Sequence, residues 1–179
     1  PFPSTDHRVP AWSMTSSVRF CGLLVSATMP QVALSVRLQK EGAAFGWPYC
    51  FLDGKTNQMI LAPEYGGDGK TVGRCAQFEK PIAGFPAHSA PVDLQFFDHP
   101  ALPAKYRGGA FVVMHGSWNR APAPMQGYNI LYQPFANGKP SGPYEVFADG
   151  FAGKTPLMSP SDAVSRANGI AIGPKGELY

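Results

Sequence analysis

Residues 109–124 read GAFVVMHGSWNRAPAP, and this stretch decides the fold class that the sequence favours. The segment Gly109–Met114 is an uninterrupted run of small, β-branched and aromatic residues, a composition that favours a buried strand. The run ends at a cluster of polar side chains: His115, Ser117, Asn119 and Arg120. Trp118 lies inside this cluster, and Pro122 and Pro124 prevent a regular continuation because proline has no backbone N–H. The stretch therefore predicts a buried strand followed by a polar loop.

Three segments of similar strand character flank this run. They are short, rich in apolar residues and bounded by turn residues: Ala90–Phe97, Gly127–Phe135 and Tyr144–Phe147. Asn137-Gly138 is the strongest turn signal among them. Residues 168–179, NGIAIGPKGELY, then begin a strand, a turn and a strand again. Together with the buried run, this order predicts one antiparallel four-stranded sheet followed by the start of another.

Four short antiparallel strands followed by a restart are typical of a β-propeller blade. We therefore predict an all-β fold, namely a partial six-bladed β-propeller with about two blades of four-stranded antiparallel sheet. A β-sandwich is the alternative, because short strands joined by turns also build two face-packed sheets. The two folds differ in whether the four segments share one sheet.

The composition is that of a globular protein. Hydrophobic residues make up 44% and charged residues 15% of the 179 residues, which is too apolar for a disordered chain. The net charge of +3 is spread along the chain without a run of Lys or Arg, so a nucleic-acid partner is not expected. No apolar stretch reaches about 18 residues, so we expect no transmembrane segment.

Residues 1–36 lack the pattern of the rest of the chain. We predict that they form an atypical or mis-framed N-terminal segment and that residues 37–179 form the propeller domain. A short helix is expected around Val32–Gln39. The three cysteines, Cys21, Cys50 and Cys75, form no C-x-x-C motif, and their odd number leaves at least one of them unpaired.

The strand order predicts where the polar cluster lies. In a sheet of four sequential antiparallel strands, the loop between the second and third strands shares an edge with the segments that enter and leave the sheet. His88 precedes the first strand, and Arg166 precedes the strand that begins after the fourth. We therefore expect both residues to meet the loop Ser117–Arg120 at one edge. Arginines there suit carboxylates or a quinone oxyanion, and Trp118 can stack on a flat ligand.

Each of these residues also has an ordinary structural explanation. His88 can cap the strand that follows it, and His115 can be a core histidine with a hydrogen-bond partner. Asn119 can form an Asx-turn before Arg120, and Arg166 can be a solvated loop charge. The functional interpretation rests on the convergence of these residues at one edge.

Several specific segments follow one another along the chain: FGWPYC, HSAPVDLQFF, YRGGAFVVMHGSWNR, GYNILYQPF and GIAIGPKGELY. Over Arg37–Tyr179 they resemble the glucose/sorbosone dehydrogenase family. This resemblance implies a soluble quinoprotein, a six-bladed propeller that holds pyrroloquinoline quinone (PQQ) and oxidises an aldose or a sorbosone-type substrate at C1. It also implies that five residues contact the cofactor: His88, Trp118, Asn119, Arg120 and Arg166.

The same resemblance leaves parts of such an enzyme unassigned. The family's general-base histidine and an arginine–asparagine pair lie upstream of these segments, so no catalytic residue and no metal ligand is identified. The family's Arg-Pro-x-Gly reads Arg166-Ala167-Asn168-Gly169 here. We therefore expect a C-terminal fragment of a PQQ-dependent sugar dehydrogenase. A non-catalytic β-propeller that serves as a binding or interaction domain is the alternative.

Further expectations follow from the resemblance. PQQ is the expected cofactor, with calcium as a second candidate. The expected partners are a sugar substrate and an external electron acceptor, a cytochrome or a quinone, and the expected location is periplasmic or secreted. In an exported protein, Cys50 and Cys75, which lie 25 positions apart, are expected to form a disulfide, with Cys21 left free.

Overall fold

The computed structural model describes residues 43–179 in full and, before them, the backbone of residues 19–20, 34–36 and 38–39. Within these residues every strand pairing is antiparallel. Helix occurs there only as short 3-10 turns: Pro63–Tyr65, Gly73–Gln77, Ala104–Tyr106 and Pro160–Asp162. The strands, numbered in chain order, are β1 (Arg19–Phe20), β2 (Leu34–Val36), β3 (Leu38–Gln39), β4 (Cys50–Asp53), β5 (Gln58–Leu61), β6 (Ala83–Phe85), β7 (Pro91–Phe97), β8 (Gly109–Met114), β9 (Asn129–Gln133), β10 (Phe135–Ala136), β11 (Lys139–Pro140) and β12 (Glu145–Ala148).

The four predicted segments form one sheet, which we call the main sheet. Its strand order is sequential, β7–β8–β9–β12. β8 lies between β7 and β9, with Val112 opposite Leu94 on one side and Leu131 on the other. This arrangement confirms the predicted single antiparallel sheet, because a sandwich would have divided the four segments between two sheets.

The central strand is buried because both faces of the main sheet are covered. Val112 and Met114 point to one face and pack against Phe85 of β6. Phe111 and Val113 point to the other face and pack into a larger cluster: Phe97, Leu102, Tyr132 and Ile170. All six residues of β8 are buried. This two-sided burial is why the sequence shows a continuous apolar run in place of alternation.

The smaller elements follow the predicted turns. β9 begins two residues later than predicted, because Tyr128 has a left-handed φ of 59°. The Asn137-Gly138 turn joins β10 to β11 in a hairpin. Beyond β12, Ile172 and Leu178 form an antiparallel bridge. A second strand–turn–strand unit therefore begins where the sequence predicted it.

A separate hairpin, β4–β5, is joined to the 3-10 turn Gly73–Gln77 by a disulfide. Cys50 and Cys75 are bonded, with 5.8 Å between their Cα atoms, which confirms the predicted pair. Both cysteines are buried beside Leu52 and Met59. The expected free cysteine, Cys21, lies outside the described residues.

The expected helix around Val32–Gln39 is wrong where the structure describes this segment. Leu34–Val36 pairs with β6 and Leu38–Gln39 pairs with β1, so both are strands. Pairing with distant strands outweighs local preference in such short apolar segments. The predicted boundary between residues 36 and 37 stays a prediction. None of the helical segments in the described part of the chain is long and apolar enough to cross a membrane.

Candidate functional site

Backbone hydrogen bonds join two loops at one end of the main sheet, which we call the site edge. The lead-in segment (residues 86–90) enters β7, and the β8–β9 loop (residues 115–128) follows β8. The amide of His115 donates to the carbonyl of Ala90, and that of Gly116 to the carbonyl of Ser89, each at 2.9 Å. The two loops therefore extend the β7–β8 pairing beyond the ends of the strands.

Ser117 closes the base of the β8–β9 loop. Its side chain is buried, at 1% exposure. Its hydroxyl donates to the carbonyl of His88 at 2.5 Å and accepts a hydrogen bond from the amide of Gln126 at 2.9 Å. The side-chain amide of Gln126 in turn donates to the carbonyl of Ala87. Residues 118–125 therefore project from a base that is tied to the lead-in segment.

Two glycines allow the chain to pass this closely. Gly116 has a φ of 100°, and a Cβ at this position would overlap the ring of Tyr128. A Cβ on Gly127, whose φ is 82°, would lie 2.8 Å from the carbonyl oxygen of Ser89. His88 also has a left-handed φ, of 60°. A left-handed non-glycine residue costs about 1–2 kcal/mol, so the surrounding hydrogen bonds must hold His88 in place.

Tyr128 connects the β8–β9 loop to the loop that follows β12. Its ring is buried, at 4% exposure, and its hydroxyl donates to the carbonyl of Ser117. The guanidinium carbon of Arg166 lies 5.1 Å from the centre of the ring, a cation–π contact. Nη2 of Arg166 donates to the Tyr128 hydroxyl at 3.3 Å and to the carbonyl of Pro160 at 3.1 Å. Burial raises the pKa of Tyr128, an effect that the positive charge of Arg166 partly offsets.

The two arginines of the site edge carry positive charge that no described carboxylate balances. Arg120 is half-buried and donates from Nη1 to the carbonyl of Pro124. Among the described residues, ion pairs within 4.0 Å join other side chains, Lys105 with Glu145 and Lys154 with Asp162. The site edge can therefore accept an anionic ligand.

The remaining polar side chains of the β8–β9 loop face solvent. Trp118 is 76% exposed, so the flat indole is open to a stacking partner. Asn119 is exposed, and its side chain makes no hydrogen bond to any residue that the structure describes, so the Asx-turn is not formed. Both side chains are free to contact a ligand.

The two histidines differ in their surroundings. His88 is half-buried and contributes its main-chain carbonyl to Ser117, whereas its imidazole has no hydrogen-bond partner within residues 43–179. His115 is half-buried, and its Nδ1 lies 3.1 Å from the carbonyl of Ala167. Because a carbonyl only accepts, this ring nitrogen carries the proton. His115 is thus a partnered structural histidine, as its alternative explanation predicted.

The structure brings His88, the Ser117–Arg120 loop and Arg166 to one edge, as the strand order predicted. Their role in cofactor binding stays a prediction. Sequence reasoning missed Tyr128, Gln126 and Asp93, which join these parts. Asp93 on β7 accepts a hydrogen bond from the amide of Ile170 at 3.0 Å, and so anchors the segment that leads into the Ile172–Leu178 bridge. A carboxylate inside an apolar strand is the signal that could have identified Asp93.

Within the part of the chain that the structure describes, no group of three or more His, Cys, Asp or Glu side chains is arranged to hold an ion. Calcium is often held by main-chain carbonyls as well as carboxylates, so calcium as a second cofactor stays a prediction.

The sequence profile of the TrAA12-like family matches residues 29–179. The chain is 30% identical over 131 residues to an uncharacterized protein of Borreliella burgdorferi, an alignment that covers 72% of the chain and 32% of that protein. It is 29% identical over 98 residues to the pyrroloquinoline quinone-dependent pyranose dehydrogenase of Coprinopsis cinerea. This second alignment covers 50% of the chain and 12% of that enzyme. The chain therefore spans about a third or less of the length of these relatives.

Two solved structures share the fold. The calcium structure of the Trichoderma reesei family AA12 carbohydrate-active enzyme superposes with a TM-score of 0.66 at 20% identity, over 84% of the chain and 40% of that protein. The holo form of the PQQ domain of the Coprinopsis cinerea pyranose dehydrogenase superposes with a TM-score of 0.61 at 22% identity, over 82% and 41% respectively. The chain therefore has the fold of roughly two fifths of each of these proteins.

These matches support a less specific relationship than the resemblance of the short sequence segments to glucose/sorbosone dehydrogenases. They relate the chain to a PQQ-dependent pyranose dehydrogenase, and they do not single out glucose/sorbosone dehydrogenases. The profile extends over residues 29–179, well beyond half of the chain, and the chain therefore belongs to the TrAA12-like family.

Proposed function

We propose that this chain forms part of the cofactor-binding side of a PQQ-dependent sugar dehydrogenase with a β-propeller fold. Membership of the TrAA12-like family supports the proposal, as does the relationship to a PQQ-dependent pyranose dehydrogenase. The single sequential four-stranded sheet and the strand–turn–strand unit after it are consistent with one blade and the start of the next.

The observation that carries the proposal is the pair of arginines at the site edge. PQQ is a planar tricarboxylate, and a guanidinium is the side chain best suited to bind a carboxylate. Arg120 and Arg166 belong to loops that meet at this edge, and neither has a carboxylate partner among the described residues. The donor set therefore fits a flat, anionic ligand.

Each predicted contact residue has a distinct task in this arrangement. Arg120 and Arg166 bind carboxylates of the cofactor. Trp118 stacks on its plane, and Asn119 offers an amide that can donate or accept. His88 places at the same edge an imidazole that has no hydrogen-bond partner among residues 43–179. The chain's own contribution is to bind and orient the cofactor.

When bound, PQQ supplies the two-electron oxidant for a sugar substrate. We assign no residue of this chain as the base that removes the C1 hydroxyl proton. The aldose or sorbosone-type substrate and the cytochrome or quinone acceptor belong to the proposal, as does the calcium ion. The buried Cys50–Cys75 disulfide supports a periplasmic or secreted location, because disulfides persist in oxidising compartments.

PQQ binding by the complete protein tests the proposal. Equilibrium binding of PQQ is measured by quenching of tryptophan fluorescence, and a dye-linked assay with pyranose sugars follows reconstitution. We expect saturable PQQ binding that the Arg120→Ala/Arg166→Ala double variant abolishes. Unchanged affinity in the double variant would remove the cofactor role of this edge. Absence of PQQ binding in the unmodified protein would favour the alternative, a non-catalytic propeller that binds a partner.

A further inference from the structure

We propose that Tyr128 is the positioning residue that presents the guanidinium of Arg166 to the carboxylates of the bound cofactor. This inference rests on the proposed function and deepens it. Tyr128 performs this task through Arg166.

Arg166 is held at one end and open at the other. Its guanidinium lies over the Tyr128 ring at 5.1 Å, and its Nη2 donates both to the Tyr128 hydroxyl and to the carbonyl of Pro160. Its other donors, Nε and Nη1, have no hydrogen-bond acceptor among the described residues. The contacts therefore orient the planar group and leave two N–H-bearing atoms for an anion.

Tyr128 can hold another residue because it is itself fixed. Its ring is buried with Met125 and Leu157, and it passes over the Cα of Gly116, where no Cβ is tolerated. Its hydroxyl donates to the carbonyl of Ser117 and so keeps an oxygen lone pair for Arg166. Burial raises the pKa of Tyr128, which keeps the hydroxyl protonated and able to donate.

The result is one chain of hydrogen bonds across the site edge. Arg166 donates to Tyr128, Tyr128 donates to the carbonyl of Ser117, and the hydroxyl of Ser117 donates to the carbonyl of His88. The chain links the loop after β12, the β8–β9 loop and the lead-in segment. An arginine loses much rotamer freedom on binding, so prior orientation of Arg166 is expected to strengthen ligand binding by about two- to tenfold.

The test removes the hydroxyl and keeps the ring. In the complete protein, Tyr128→Phe should weaken equilibrium PQQ binding by about three- to tenfold, the loss expected for one hydrogen bond. In the Arg166→Ala background the same substitution should cause no further weakening, because Tyr128 acts through Arg166. A purely structural role would weaken binding equally in both backgrounds, and this result would overturn the inference. So would an unchanged affinity in Tyr128→Phe alone.

Tyr132 of β9, four positions after Tyr128, provides a matched control. It is also buried, at 2% exposure, and its hydroxyl donates to the carbonyl of Arg107 at 3.4 Å, at the opposite end of the main sheet. Tyr132→Phe should therefore lower the thermal unfolding midpoint about as much as Tyr128→Phe does, and leave PQQ affinity unchanged. Equal loss of PQQ affinity in the two variants would show that general destabilisation is the cause.

A second variant asks whether position or charge alone matters. Arg166→Lys keeps the charge but cannot span Tyr128 and Pro160 with one planar group. We expect Arg166→Lys to lose as much PQQ affinity as Arg166→Ala, and recovery of most of the affinity by lysine would overturn the inference. Binding of PQQ by the unmodified protein tests the proposed function separately, so the two failures are distinguishable.

Discussion

The hydroxyl of Ser117 donates a 2.5 Å hydrogen bond to the main-chain carbonyl of His88, and both groups lie at the site edge. This contact joins the loop after the central strand to the segment that enters the first strand of the main sheet. It also leaves the imidazole of His88 uncommitted. The structural task and the proposed cofactor task therefore fall on different atoms of the same residue.

Ser117→Ala should destabilise the protein by about 1–3 kcal/mol, because it leaves the amide of half-buried Gln126 without an acceptor and the carbonyl of His88 without a donor. Chemical denaturation of the complete protein measures the change. Ser165→Ala is the control, since the Ser165 hydroxyl donates to the carbonyl of Phe151 at 2.9 Å from an exposed position. It should change stability by less than about 0.5 kcal/mol, and an equal loss in both variants would contradict the prediction.

Gly116→Ala should destabilise the protein more than Gly108→Ala, although both glycines have a left-handed φ. A Cβ at Gly116 overlaps the Tyr128 ring, whereas nothing lies within 4 Å of a Cβ on Gly108, whose φ is 75°. Gly108→Ala should cost about 1–2 kcal/mol for the left-handed backbone conformation, and Gly116→Ala should add about 1–3 kcal/mol of overpacking. Differential scanning calorimetry compares the two variants. Equal shifts would show that the Tyr128 ring moves aside freely.

Arg120→Ala should weaken PQQ retention by about 1.5–3 kcal/mol, the range for a hydrogen bond to a charged group. The fold should be little affected, because Arg120 lies in a loop and its side-chain hydrogen bond within the described residues goes to the carbonyl of Pro124 in the same loop. Isothermal titration with PQQ measures the change. Arg107→Ala is the control. Arg107 also donates to main-chain carbonyls, those of Leu102 and Pro100, but it lies at the other end of the main sheet. A similar loss in Arg107→Ala would point to an effect of net charge.

Removal of the Cys50–Cys75 disulfide should destabilise the protein by about 3 kcal/mol, because the bond closes a loop between residues 25 positions apart. The unfolding free energy is measured by denaturant titration with and without a reductant. In the Cys50→Ala/Cys75→Ala variant the reductant should have no further effect. If the reductant still lowered the stability of this variant, its effect on the unmodified protein would not come from the Cys50–Cys75 bond alone.

Asp68 should titrate well below an ordinary aspartate. Hydrogen bonds from the amides of Lys70 and Thr71 lower the pKa of Asp68 to about 2 from the model-compound value of 3.8. The pKa of Asp68 is lower in the folded than in the unfolded chain. The ionised carboxylate therefore stabilises the turn from Asp68 to Thr71 above pH 3.8, and this stability is lost as the pH falls towards 2. A carboxyl-detected NMR titration measures the midpoint. A midpoint near 3.8 would show that the turn does not hold the carboxylate.

Local sequence patterns predict much of the main sheet. The continuous apolar run of Gly109–Met114 marked the central strand, since only a strand covered on both faces needs no alternation. The order of the strand segments along the chain predicted the neighbours of that strand, because consecutive strands usually pair in a sheet. Once the strand order is known, the loops that share an edge follow from direction alone. The strand order alone therefore predicts that His88, the Ser117–Arg120 loop and Arg166 lie at one edge.

Contacts between distant residues decided the rest. The segment Leu34–Val36 resembled a helix locally and became a strand because it pairs with β6, about fifty positions away. The support of Arg166 by Tyr128 spans 38 positions, and that of Ile170 by Asp93 spans 77. No local pattern encodes which tyrosine a given arginine will meet, since that depends on how the loops pack. The sequence determined the four strands of the main sheet, their order and the shared edge. Tertiary packing alone decided that Leu34–Val36 is a strand and selected the partners that orient each side chain, because both depend on contacts between distant residues.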